Sequence, residues 1–353
     1  MSHYLLLISI FFLAIFALSC ALCHLLLKNN RIKLQKKACV TERWASQTKP
    51  IFGGVVFYVM FVFSLAITAI LFGTQSIHKE FFVIFACATI AFFAGLFDDK
   101  CNTSPFHKFL FQCLCAAILI ASNMYIHTSD NIFINYALTL FWVVGIMNSI
   151  NMLDNMDAIS GSVSAIICAA LAILAFHAGS AINGLMLIGV VAALDAYLLW
   201  NWHPSKMYMG DSGSQFLGII LAIFSIQYIW NFSGNYIGFN YREIVLLCSA
   251  FIMPLSDTTT VFINRIAAGK SPFVGDTNHS THNFVYCGFS QRQTAGIFII
   301  ITALGCFFTV YGIVAQPHSG FFIRLLIGEI SLFTILFSIS RLVKKHKLKT
   351  SQS

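Results

Sequence analysis

Long apolar runs, joined by short polar segments, leave this chain few architectures. A helix needs about 20 residues to cross ~30 Å of hydrocarbon, and buried backbone must satisfy its own hydrogen bonds. Runs of that kind fall near 4–27, 51–73, 80–97, 106–126, 132–148, 159–178, 182–200, 214–231, 243–263, 293–315 and 321–341. Charged residues are 10% of the 353, against about 25% in a soluble domain, so the chain cannot cover itself in water. The expectation is an all-α integral membrane protein of eleven transmembrane helices, forming one polytopic domain over 1–353.

The basic residues give this expectation a direction. On an odd count the termini lie on opposite faces. Placing 28–50, 98–105, 149–158, 201–213, 264–292 and 342–353 inside puts 18 of the 21 Lys and Arg in these segments or, for Lys108 and Arg341, at their edges, and only Lys79, Arg242 and Arg324 outside. Basic residues are enriched in cytoplasmic loops, so the N-terminus is expected outside and the C-terminus in the cytoplasm. The net charge of +8 then reflects topology, and nucleic acid is not an expected partner. No basic residue precedes the first run, whereas Lys28, Arg31, Lys33, Lys36 and Lys37 follow it. That pattern predicts a retained anchor rather than a cleaved leader. Most of the eleven cysteines sit singly in apolar runs and are expected to be packing residues, with no disulfide or metal framework.

Acidic residues locate the chemistry. Of only 13, seven (Asp98, Asp99, Asp154, Asp157, Asp211, Asp257 and Asp276) are expected at or near the inner ends of spans. Acids contribute little to orientation and are costly beside hydrocarbon, where they mark function. Asp98 and Asp99 close an apolar span and suit a hard cation or a base beside one. In Asn148-Ser-Ile-Asn151-Met-Leu-Asp154-Asn155-Met-Asp157, polar groups recur at three-residue spacing. Asp154 and Asp157 would therefore converge on one ligand, while the Asn amides suit a nucleobase or ribose edge.

The third segment runs from Asn201 to Ser214. Gly210 and Gly213 allow close backbone approach, Asp211 is a candidate metal ligand, and Tyr208 could stack on a base. Ser214 would cap the next helix, whose N-terminus favours phosphate. His203 receives no role. The longest inner loop carries Arg265, Gly269-Lys270-Ser-Pro-Phe273, Asp276, His279 and His282. The two histidines lack further zinc ligands at the usual spacing and better suit an anion. Together the segments describe a nucleotide-sugar site against a lipid surface, with one soluble and one lipid substrate.

In order, these segments resemble the polytopic polyprenyl-phosphate N-acetylhexosamine-1-phosphate transferases, of glycosyltransferase family 4 type. The family includes the bacterial GlcNAc-1-phosphate transferases and the phospho-MurNAc-pentapeptide translocase. Gly95–Gln112, with Pro105 and Lys108, is similar to its Asp-Asp segment, and Asn148–Gly161 to its Asn-x-x-Asn-x-x-Asp-Gly-x-Asp-Gly segment. Asn201–Gly218 resembles the Met-Gly-Asp-x-Gly-Ser segment, and Pro254–His282 the Pro-x-x-Asp…Ser-Pro-Phe…Asp…His segment. The paired glycines of the second segment are replaced by Asn155 and Ala158. The translocase's adjacent histidines are replaced by His279-Ser-Thr-His282, which favours the GlcNAc-1-phosphate branch.

The resemblance implies transfer of N-acetylhexosamine 1-phosphate from a UDP-sugar to polyprenyl (undecaprenyl) phosphate, releasing UMP and starting an envelope glycan. It implies magnesium, with manganese as a substitute, on Asp211 and Asp154, and a catalytic role for Asp98 supported by Asp99. Asn148, Asn151, Asp154, Asp157 and Tyr208 would bind the nucleotide sugar, and Lys108, His279 and His282 the phosphates. The expected setting is the inner membrane, with the site on the cytoplasmic face, and a homodimer is compatible with it. Two alternatives stand: the pentapeptide transferase, and a secondary transporter whose acids relay ions. The transporter would place acids near span centres, break its helices and repeat internally.

Overall fold

The computed structural model describes residues 2–28, 49–73, 79–232, 240–267, 269 and 279–350. The basic run from Arg31 to Arg43, Lys270, the Ser271-Pro272-Phe273 stretch and Asp276 lie outside the described residues.

The helices are α1 (Ser2–Lys28), α2 (Gly53–Phe72), α3 (Lys79–Cys101), α4 (Pro105–Ala121), α5 (Ile132–Leu153), α6 (Ile159–His177), α7 (Ala181–Asn201), α8 (Gly210–Ser225), α9 (Tyr241–Ala250), α10 (Ile252–Ile266), α11 (Ser280–Tyr286), α12 (Gln291–Val314) and α13 (Ser319–Thr350). Nine described helices are long and apolar enough to span a membrane, counting α8 with its π-helical extension Ile226–Trp230. The chain is an all-α multi-pass membrane protein.

The apolar runs lie where expected, and among the described residues nine or ten of the eleven reach spanning length. The run at 243–263 is broken at Phe251, where α9 and α10 meet at 87°, so this bent pair brings the total to ten at most. The eleventh run becomes α4, with 17 residues, or ~26 Å of helix at 1.5 Å per residue. The break exposes carbonyls that hydrocarbon cannot satisfy, and α12 supplies partners. Thr309 Oγ1 donates to the Leu246 carbonyl at 2.9 Å and Cys306 Sγ to the Ala250 carbonyl at 3.9 Å.

The innermost helix is α8, whose residues are all buried. Past its polar first turns α8 is apolar on every face, as suits a core position, and α2, α3, α5 and α6 pack against it. Trp142 Nε1 on α5 donates to Ser225 Oγ at 2.9 Å. Small residues let α6 and α7 pack closely. Because α8 sits centrally, the start of α8 meets the ends of several other helices. There the polar segments converge.

Candidate active site

Asp98 ends α3, Lys108 lies in the first turn of α4, Asn151 ends α5, and Asp211 opens α8. Their side chains meet. Lys108 Nζ lies 2.9 Å from Asp98 Oδ2 and 3.3 Å from Asp211 Oδ2. Asn151 Nδ2 donates to Asp211 Oδ1 at 2.7 Å and to Ser214 Oγ at 2.8 Å. Asp98 Oδ1 accepts from the Thr103 amide at 2.8 Å and from its hydroxyl. Asp98 and Asp211 are buried. Two buried carboxylates at one point repel each other unless a cation stands between them, and here the ammonium does.

Asp99 faces elsewhere, because successive helical residues point about 100° apart. Its Oδ1 accepts from the Asp211 amide at 2.9 Å and its Oδ2 from the Ser212 amide at 3.0 Å. Asp99 thus caps α8 from another helix and complements its dipole. This corrects two expectations. The helix starts at Gly210, so Ser214 lies inside its first turns and does not cap it. The amides expected to receive phosphate are bound by Asp99. Two glycines permit this crossing: Gly210 has φ +74°, and a Cβ at Gly95 would collide with the Asp211 carbonyl.

Behind Asn151, a buried amide chain joins three helices. Asn148 Nδ2 donates to Gln112 Oε1 at 2.8 Å and to the Val144 carbonyl at 2.9 Å, and Gln112 Nε2 donates to Gln215 Oε1 at 3.0 Å. Both amide hydrogens of Asn148 are therefore engaged within the protein. Asp154 is the C-cap of α5, half-buried and three residues past Asn151. It is Asn151 that holds the Asp211 carboxylate.

Asp157 binds the 201–209 loop. It accepts from the Ser205 amide at 3.1 Å, from Ser205 Oγ at 2.8 Å, and pairs with His203 Nδ1 at 3.0 Å. His203, given no role from sequence, thus belongs to this anchor, and its carbonyl accepts from Arg292 Nε at 3.1 Å. Asn201 Oδ1 accepts from the amide of Ala158, a non-glycine residue with φ +65°. Lys49 Nζ donates to Ser205 Oγ at 3.1 Å and sits 5.3 Å from the centre of the Tyr208 ring. The Tyr208 backbone is bonded to Pro50 and Gly53. Tyr208 therefore lies buried beside the site with a cation over its ring.

His279 and His282 stand together with ring centres 5.7 Å apart. Both are buried. Thr281 Oγ1 donates to Asn155 Oδ1 at 2.6 Å, tying α11 to the turn between α5 and α6. Asp257 lies in the first half of α10, which the break at Phe251 makes a separate helix.

Sequence reasoning missed Thr103, Gln215 and the partnering of Asp257. The spacing did carry signals: Gln112 is one turn from Lys108, and Gln215 one turn from Asp211. Among the described residues, no group of three or more His, Cys, Asp or Glu gathers as a metal site. Asp98 and Asp211 offer two carboxylates around one cationic position. Magnesium takes such a donor set when substrate phosphates complete its shell, so the residues fit that ion.

Residues 81–229, which carry Asp98, Lys108, Asn151 and Asp211, match the family model described as glycosyl transferase family 4. Over this segment the chain is similar to glycosyl transferase family 4. It is 29% identical over 238 residues to a Bacillus subtilis protein named a probable undecaprenyl-phosphate N-acetylglucosaminyl 1-phosphate transferase, covering 65% of this chain and 64% of that one. It is 26% identical over 281 residues to the Yersinia pestis undecaprenyl-phosphate alpha-N-acetylglucosaminyl 1-phosphate transferase, covering 76% and 73%. The decaprenyl-phosphate N-acetylglucosaminephosphotransferase of Mycobacterium tuberculosis is 27% identical over 252 residues, covering 64% and 61%. The matched family-4 segment includes α8 and the helix ends that meet at its start.

Proposed function

We propose that this chain is a member of glycosyl transferase family 4 that transfers N-acetylglucosamine 1-phosphate from its UDP-sugar to a polyprenyl phosphate, leaving UMP. The observation that carries the reading is the Asp98–Lys108–Asp211 cluster, buried where four helix ends meet. The names of the relatives supply the substrate class. A lipid-phosphate oxygen forms a bond to the β-phosphorus, and the bond from that phosphorus to the oxygen bridging to the α-phosphate breaks.

Asp98, held by Thr103, orients the attacking phosphate and takes its proton where one remains. Phosphate has a second pKa of ~6, so at neutral pH the orienting role is the larger. Lys108 balances the charge gathered on diphosphate and carboxylates, and Asn151 keeps Asp211 aimed at that point. Magnesium, held by Asp211 and Asp98 with the substrate phosphates, would neutralise charge as it develops. Asp154, the C-cap of α5 three residues past Asn151, would be a further ligand. The 154–158 turn and the 201–209 loop form the nucleotide side, with Tyr208 toward the base.

The basic bias of the loops supports a cytoplasmic site in an inner membrane, and a homodimer is compatible with the exposed helices α1 and α13. The transporter reading draws on two features, the broken α9–α10 span and buried Glu329 within α13. The cluster at the start of α8 favours chemistry instead. Purified protein in detergent with undecaprenyl phosphate, magnesium and a panel of UDP-amino sugars is expected to release UMP with UDP-GlcNAc. Efficient use of UDP-MurNAc-pentapeptide would move it to the other branch. Silence with every donor, together with solute uptake in sealed vesicles, would replace the enzyme by a transporter.

A further inference from the structure

One buried acid is not used by this chemistry. Asp257 is 1% exposed. Its Oδ2 lies 2.9 Å from His279 Nδ1, and its Oδ1 accepts from the Ser280 amide at 2.6 Å. A carboxylate already accepting an amide proton on one oxygen needs a donor on the other, so the Nδ1 of His279 carries hydrogen.

The surrounding bonds fix both partners. Thr258, next to Asp257, pairs with Ser149 on α5 at 3.0 Å, beside Asn148. Thr281, two residues past His279, donates to Asn155 Oδ1. The Asn155 amide is itself oriented by Nδ2 donating to the Met152 carbonyl at 2.9 Å. Residues 279 and 280 are thus tied to α10, and residue 281 to the turn beside the cluster. The ring has no freedom to turn without breaking a buried bond.

We propose that Asp257 is a positioning residue acting through His279: it commits the Nδ1–H edge of the ring and thereby presents Nε2 to a phosphoryl oxygen of the substrate. An ionised partner on Nδ1 fixes the tautomer, so Nε2 is the edge left to meet the phosphate, as an acceptor on a neutral ring and as a charge-assisted donor on a protonated one. The phosphoryl group belongs to the sugar nucleotide or to the lipid phosphate, and this part rests on the transferase reading.

The test uses full-length protein labelled with ¹⁵N-histidine in micelles, with His279→Gln identifying the resonances. Wild-type His279 is expected to show a protonated Nδ1, and Asp257→Asn to lose that signature. In turnover, Asp257→Asn is expected to lower kcat/KM by roughly 10- to 100-fold, as for other partners that orient a functional histidine. In the His279→Gln background the same change is expected to cost less than about 2-fold, because a group acting through the ring has nothing left to act on. Varying UDP-sugar and polyprenyl phosphate in turn assigns the source, since the affected KM names the phosphate that Nε2 meets. A His279 ring protonated only on Nε2 would overturn the proposal. So would a full additional loss in the double variant, which a purely structural role for Asp257 would give. Failure of wild-type protein to make UMP would remove the transferase reading, while the resonances would still decide the Asp257–His279 assignment.

Discussion

Replacing Lys108 by Met removes the ammonium and keeps most of the side-chain stem. At 2.9 and 3.3 Å, and an effective dielectric of about 20, its gross attractions to Asp98 and Asp211 are about 6 and 5 kcal/mol. Most of this is offset by the desolvation of three charges. What survives is the penalty for leaving buried charge unpaired, about 3–5 kcal/mol when one partner is deleted. Thermal unfolding in detergent with EDTA should therefore place Lys108→Met roughly 5–15 °C below wild type. Adding magnesium should narrow the gap, because a divalent ion between the carboxylates restores the counter-charge. Melting of Lys108→Met with wild type in EDTA would refute the reasoning. A gap that magnesium leaves unchanged would remove the metal from Asp98 and Asp211.

Three further outcomes follow from the same geometry. Asp99→Ala should cost at least the ~1–2 kcal/mol of a lost helix cap and lower thermal stability, whereas Asp98→Ala should reduce turnover far more than stability; the reverse pattern in paired melting and kinetic measurements would exchange the two roles. Ala158→Gly should stabilise by about 0.5–1 kcal/mol, because glycine removes the left-handed strain at φ +65° and gives back part in chain entropy, as a shifted midpoint in detergent unfolding would record. A reporter fused after Ser353 should be active only on the cytoplasmic side, and activity only outside would reverse the topology.

The spans were legible because hydrocarbon imposes a length and a composition that few other contexts share. The break at Phe251 was not, since an apolar run reads alike whether straight or bent; Pro254 was the one hint, as proline sits poorly within a helix. Sequence found the acids Asp98, Asp99 and Asp211 but could not divide their work. Adjacent residues on a helix point in different directions, and only the crossing of α3 with α8 sends Asp99 to the backbone and Asp98 to Lys108. The three-residue spacing from Asn148 to Asp157 was read as one ligand face. Folding divides it: Asn148 joins an amide chain, Asn151 holds Asp211, and Asp157 anchors a loop. Those partners are 36 to 60 residues away in the chain, beyond the reach of any local pattern.

The central claim is that a bond is broken at the Asp98–Lys108–Asp211 cluster. Detergent micelles offer no second compartment, so product formed there cannot come from transport. UMP release from UDP-GlcNAc should depend on polyprenyl phosphate in the wild type. In Asp98→Asn it should disappear while uridine-nucleotide binding stays within a few-fold, as expected of a group that acts mainly in the transition state. Undiminished UMP release by Asp98→Asn would contradict the account.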